Sequence, residues 1–113
     1  MRIWHEKIIP RLCSKHLVAV WREALGCYKI ITENKKGYSN HPATIEFKDC
    51  PDKLYKRLEL IRSEMLSRCY HPKDLPAKCK DTNSEPKEWQ SLEEQLERLK
   101  EKRLTIKSCK CNI

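Results

Sequence analysis

Two glycines in 113 residues are too few to punctuate a set of tight β-hairpins, whose two-residue turns demand positive φ. The same chain is 35% charged, a composition that suits amphipathic helices better than a glycine-punctuated β design. Apolar residues at helical spacing support this. The first clear helix runs from about Ser14 to Tyr28, with Ser14 as its N-cap and Leu17, Trp21, Ala24, Leu25 and Tyr28 as its apolar stripe. Gly26 near its end fits a weakening or stop. A second helix is expected from Pro51 or Asp52 to about Cys69. It buries Leu54, Leu58, Ile61, Met65 and Leu66, and Lys53, Lys56, Arg57 and Arg62 decorate the rest. A third begins at Ser91, where Ser91 and Glu94 form a capping-box pattern and Leu92, Leu96 and Leu99 repeat on one face. Glu94 and Arg98 stand four apart as a favourable pair.

Between these helices the chain reads as loop. Residues 31–50 contain Gly37, Ser39, Asn40 and Pro42, and residues 71–89 carry three prolines. The expectation is therefore an all-α, compact single domain over residues 1–113, with about three helices and long irregular connections. The size, 13.5 kDa, suits one core and not two. A mean hydropathy of -0.79 and the lack of a run of roughly 20 apolar residues argue against a membrane span. The opening residues lack the apolar stretch of a secretion signal, so a soluble intracellular protein is expected, in cytoplasm, nucleoid or a viral replication compartment.

Lys and Arg number 24 against 16 Asp and Glu, a surplus of eight. Residues 1–36 hold eight of the basic side chains and three Glu, a local surplus of five. A polyanion is the first partner such a surface suggests, since neutralising phosphates releases counterions. A merely solubilising basic surface has the same composition. Seven cysteines, at 13, 27, 50, 69, 79, 109 and 111, are an odd number. Cys69, His71, Cys79, Cys109 and Cys111 can be imagined around zinc, but there is no Cys-x-x-Cys pair. Reduced thiols and no metal are the expectation, with Cys13, Cys27 and Cys50 as small core or surface residues.

No phosphate-cradling glycine loop, metalloprotease helix or nucleophile elbow is present in the sequence. The informative element is the first helix. His16, Val20, Glu23 and Cys27 share one face, and Arg22 stands about 100° round from Glu23. An imidazole, a carboxylate and a guanidinium so placed can move a proton, hydrogen-bond a sugar or base, and hold a phosphate. On spacing alone the plainer reading is favoured, with His16 a first-turn polar residue and Glu23 a solvated or salt-bridged carboxylate. Trp4 and Trp21 read as core residues. His5 and His41 could approach a ligand or lie on the surface, and Lys35 and Lys36, beside Gly37, are candidate phosphate contacts or a solvated pair.

The opening MRIWHEKIIPRL and the following KHLVAVWREALGCY resemble the pyrimidine-dimer DNA glycosylase family. That family pairs an N-terminal Arg-Ile with a helix of the form His-Leu-x-Ala-x-aromatic-Arg-Glu, matched here by Arg2, Ile3, His16, Leu17, Ala19, Trp21, Arg22 and Glu23. A second block, from His41 through Thr44, Phe47 and Leu54 to Arg68, is similar to the family's second helix and its entry. The resemblance implies a glycosylase with abasic-site lyase activity acting on double-stranded DNA with a damaged or modified base or an abasic site. It implies that the N-terminal amine attacks C1′, releases the base and leaves a Schiff base. An α-amine has a pKa of about 7.7–8.0, against about 10.4 for lysine, so part of it is unprotonated at neutral pH. Met1 would supply that amine, because the bulky Arg2 should block removal of the initiator. Glu23 matches the catalytic carboxylate, and Arg2, His16 and Arg22 match DNA-holding positions.

Two departures bear on the substrate. Gly26 stands where a further arginine is found in the family's phage members, and no aromatic residue follows Trp89, which leaves the excised base open. No cofactor is needed, and a monomer is expected. The competing readings are a non-catalytic basic DNA- or RNA-binding module on the same scaffold, and an interaction protein that docks through its Leu-rich third helix.

Overall fold

The computed structural model describes residues 3–33, 41–106 and 109–112, and its elements are helical throughout. A short 3-10 turn over Ile9–Arg11, with Pro10 in its first turn, leads into α1 (Ser14–Thr32); α2 (Pro42–Phe47), α3 (Pro51–Ser67) and α4 (Leu92–Thr105) follow. The domain is all-α, as its composition and periodicity predict.

Helix α1 is the spine. Leu17, Val20, Trp21, Ala24, Cys27 and Tyr28 are all buried, which is the predicted stripe with Leu25 moved to its half-buried edge. The N-cap is Cys13 and not Ser14, which is the first helical residue. Gly26 does not stop the helix, which runs on to Thr32. A lone helical glycine costs about 1 kcal/mol relative to alanine. Burying Tyr28 beyond it, with its hydroxyl donating to the Ala77 carbonyl at 2.7 Å, outweighs that cost.

Residues 31–50 are not wholly irregular. Pro42 opens α2 at a position where its missing N–H is no loss, and the His41 ring Nδ1 accepts from the Ala43 N–H at 3.1 Å. Ala43, Thr44 and Phe47 are buried. In six residues the helical period is too short to register in sequence, and tertiary burial decides the conformation. Among the described residues there are thus four α-helices where periodicity suggests three.

Helix α3 packs on α1 through Leu54, Leu58 and Ile61, each fully buried, and Met65. Leu66 is 48% exposed, contrary to expectation. The helix ends at Ser67 in a Schellman pattern: the Tyr70 N–H donates to the Met65 carbonyl at 2.9 Å and the Cys69 N–H to that of Leu66 at 3.0 Å. Cys69 takes the left-handed conformation this cap needs, with φ of 65°, where glycine is usual. Arg57 is not surface decoration. Its guanidinium lies 5.6 Å over the Phe47 ring and donates to the Trp4 carbonyl at 2.6 Å, fixing the N-terminal segment to α3. Arg68 ties the same segment lower down, donating to the carbonyls of Leu12 at 2.7 Å and Pro10 at 3.1 Å.

Residues 68–91 carry no regular element, as their prolines suggest. Helix α4 starts at the predicted cap, with the Ser91 hydroxyl accepting from the Glu94 N–H at 3.2 Å, and puts Leu99 in the core. Arg98 reaches Glu101, at 3.5 Å, and no ion pair between it and Glu94 is recorded among the described residues. No helix among the described residues is long and apolar enough to cross a membrane.

Candidate active-site cleft

Helix α4 stands off α1, and the space between them is a cleft of about 640 Å³. The α1 wall carries His16, Ala19, Val20 and Glu23, one face of the helix over two turns. The α4 wall carries Arg98, Glu101, Lys102 and Thr105, again one face. Trp4 completes the lining. Its side chain is buried, as expected for a core residue, along with Trp21. Its main chain is held by Arg57, so the N-terminal segment is delivered to the cleft from a fixed point.

Glu23 is half-buried in this wall, and Arg22 next to it is exposed. Period 3.6 predicts that relation, and the structure brings Glu23 and His16 to the same cleft. Met1, Arg2, Lys35 and Lys36 lie outside the described residues. His5 and His41 serve the backbone: Nδ1 of His5 accepts from the Lys7 N–H at 3.1 Å, and His41 caps α2 and meets Trp89 edge-on at 6.4 Å.

His16 has a second environment. Its Nδ1 lies 3.2 Å from Cys13 Sγ, 3.2 Å from Cys111 Sγ and 3.5 Å from Cys109 Sγ. The Cys13 N–H donates to Cys111 Sγ at 3.1 Å. Burial, then Lys102 and Lys15, hold the His16 imidazole below its ordinary pKa, so it is neutral near pH 7. Burial opposes ionisation of Cys13, but hydrogen bonds from the backbone of His16 and Lys110 and from the other two thiols hold it below its ordinary value. Burial pushes Cys111 up to about 12.

This grouping differs from the one that sequence spacing suggests. Cys69, His71 and Cys79 are not part of it, and Cys13 and His16 are. The available signal was Cys13-x-x-His16 at a helix start together with Cys109-x-Cys111, two short chelating pairs. Their separation of over ninety residues hides the partnership from any local reading.

A buried carboxylate stands on α2, close enough to Arg57 to feel its charge. Glu46 is 8% exposed, and burial, countered by Arg57 and reinforced by Glu88, pushes its pKa up to about 7.

Comparison with known proteins bears on the first two thirds of this architecture. A search of curated proteins and one of solved structures gave no match. The family model for pyrimidine dimer DNA glycosylase matches residues 1–76, the stretch that contains Trp4, His16 and Glu23 of the cleft and the α3 residues that fix it. Over that stretch, two thirds of its length, the chain belongs to the pyrimidine dimer DNA glycosylase family.

Proposed function

We propose that the chain excises a damaged base from double-stranded DNA, a pyrimidine dimer in the first instance, and cleaves the strand at the resulting abasic site. The observation that carries this reading is the half-buried Glu23 in a cleft shared with Trp4. Three residues of chain span at most about 11 Å, so an α-amine on Met1 could be delivered to the cleft lining from Trp4. The volume falls within the range of about 300–1,000 Å³ of pockets that hold small ligands, and flipping a nucleotide out of the stack is cheapest at a lesion.

In this reading the Met1 amine, unprotonated, donates its lone pair to C1′. The bond from C1′ to the base breaks, and the base leaves with that electron pair. Loss of the amine proton and opening of the sugar ring give the Schiff base. Removal of a C2′ proton then expels the 3′ phosphate by β-elimination. Glu23 stabilises the cationic sugar and carries protons in the later steps. Arg2 and Arg22 hold the flanking phosphates, with Lys35 and Lys36 as further contacts. His16 faces the sugar through Nε2, since Nδ1 is turned to the thiols.

The test is cleavage of two duplexes, one with a single cyclobutane dimer and one with a single abasic site. Glu23→Gln is expected to reduce cleavage of both by about 10²–10⁴-fold with binding retained. Unchanged cleavage would remove Glu23 from the mechanism. Tight, salt-sensitive binding with no cleavage by the unaltered chain would favour a non-catalytic DNA-binding module.

A further inference from the structure

We propose that Cys13, His16, Cys109 and Cys111 hold one zinc ion that fastens the C-terminal tail to the start of α1. All four ligand atoms lie within 4.8 Å of one another. A tetrahedral zinc with Zn–S of about 2.3 Å and Zn–N of about 2.0 Å places sulfur and nitrogen about 3.6 Å apart. The three Nδ1-to-sulfur distances, 3.2, 3.2 and 3.5 Å, are within a few tenths of an ångström of that, so small shifts of the side chains accommodate the ion.

The donor set selects the metal. Three thiolates and an imidazole suit zinc, while magnesium and calcium prefer oxygen and an iron–sulfur cluster commonly takes four cysteines. Four protein donors leave no open position, which marks a structural site and not a catalytic one. The surroundings agree. Cys109 and Cys111 are buried, and Cys111 Sγ accepts the Cys13 N–H at 3.1 Å, the kind of outer contact that orients a metal-bound sulfur. Helix geometry supplies the first pair, because Cys13 at the N-cap and His16 three residues on face each other across the first turn.

The tail needs such an anchor. Its half-buried Ile106 and a hydrogen bond from the Asn112 N–H to the Arg11 carbonyl at 2.7 Å are modest holds, and thiols are weak hydrogen-bonding groups. A disulfide would use two of the three sulfurs and leave the third and the imidazole unexplained. The other four cysteines stand elsewhere: Cys27 and Cys50 in the core, Cys69 at the exposed α3 cap, Cys79 on the 68–91 segment. Two of the four ligands, Cys109 and Cys111, lie in the part of the chain that the family match does not cover, and the site shares only His16 with the chemistry proposed above.

The full chain, purified with reductant and without chelator, is expected to contain one zinc by elemental mass spectrometry. Replacement by cobalt(II) should give the visible bands of a tetrahedral ion and thiolate charge-transfer absorption. Cys109→Ser and Cys111→Ser should each weaken cobalt binding by more than about 100-fold, while Cys69→Ser and Cys79→Ser leave it unchanged. His16→Cys keeps four donors and should give a tetrahedral all-sulfur spectrum in a chain folded by circular dichroism. A metal-free wild-type chain that gives no tetrahedral cobalt spectrum would overturn the site. So would wild-type affinity in the Cys109→Ser, Cys111→Ser double variant.

Discussion

Residues 3–33 and 41–67 interlock through side chains such as Leu17, Leu58 and Ile61, each fully buried. Residues 68–91 are instead tied down largely through their own main chain. Tyr28 and Tyr55 donate to the carbonyls of Ala77 and Pro76, Arg62 to that of Lys73, and the Lys87 N–H to the carbonyl of Glu46. A packed core holds one geometry because each side chain is caged by many others. A tethered segment depends on single bonds that are each worth about 1 kcal/mol. The contrast places Glu23 on the rigid part, which suits a group that must hold its position during a reaction. The far wall of the cleft belongs to α4, which reaches the core chiefly through Leu99 and Gln95.

The largest effects that test this contrast are on stability. Leu58→Ala should cost about 2–5 kcal/mol, whereas Tyr28→Phe, which cuts one tether, should cost about 1 kcal/mol. Urea unfolding of both variants checks this, and equal costs would break the distinction.

Next is the pH response of the buried Glu46. Its carboxyl is favoured neutral in the folded chain, with a pKa of about 7 against an ordinary 4.5. The folded state therefore binds a proton that the unfolded state has released, and this stabilisation is full below 4.5 and lost as pH rises to about 7. Glu46→Gln should flatten the fall in stability across that window by about 1–3 kcal/mol. Thermal melts at a series of pH values would show an unaltered slope if Glu46 were not the group.

Cap and helix chemistry gives smaller changes of the opposite sign. Cys69→Gly relieves a left-handed conformation, and Gly26→Ala fills a helical position where an added Cβ meets nothing within 4 Å. Each should stabilise by about 0.5–1 kcal/mol. The smallest effect concerns binding. Arg22→Ala should lower DNA affinity and reduce the salt slope by about one, with no change in melting temperature.

Much of this was legible in sequence because it depends on local period. The α1 stripe from Leu17 to Tyr28, the burial of Trp21, the Ser91 cap and the shared face of His16 and Glu23 all follow from spacing within one element. What was missed depends on contacts between distant residues. The α2 helix exists because Phe47 and Ala43 meet the core. Arg57 left the surface because the Trp4 carbonyl lies within its reach. The thiol cluster forms because the chain returns its last residues to Cys13. Gly26 misled for a different reason: its cost was read correctly, but the burial gained beyond it is not a local quantity.

The central claim is that the amino terminus and Glu23 act together in the cleft. Borohydride trapping of the untagged chain on a duplex with one abasic site, with mass spectrometry of the adduct, tests it most directly. The account predicts a covalent adduct on the Met1 α-amine, which disappears in Glu23→Gln although the duplex is still bound. An adduct on a lysine, or none from a chain with a free amino terminus that binds the duplex tightly, would contradict it.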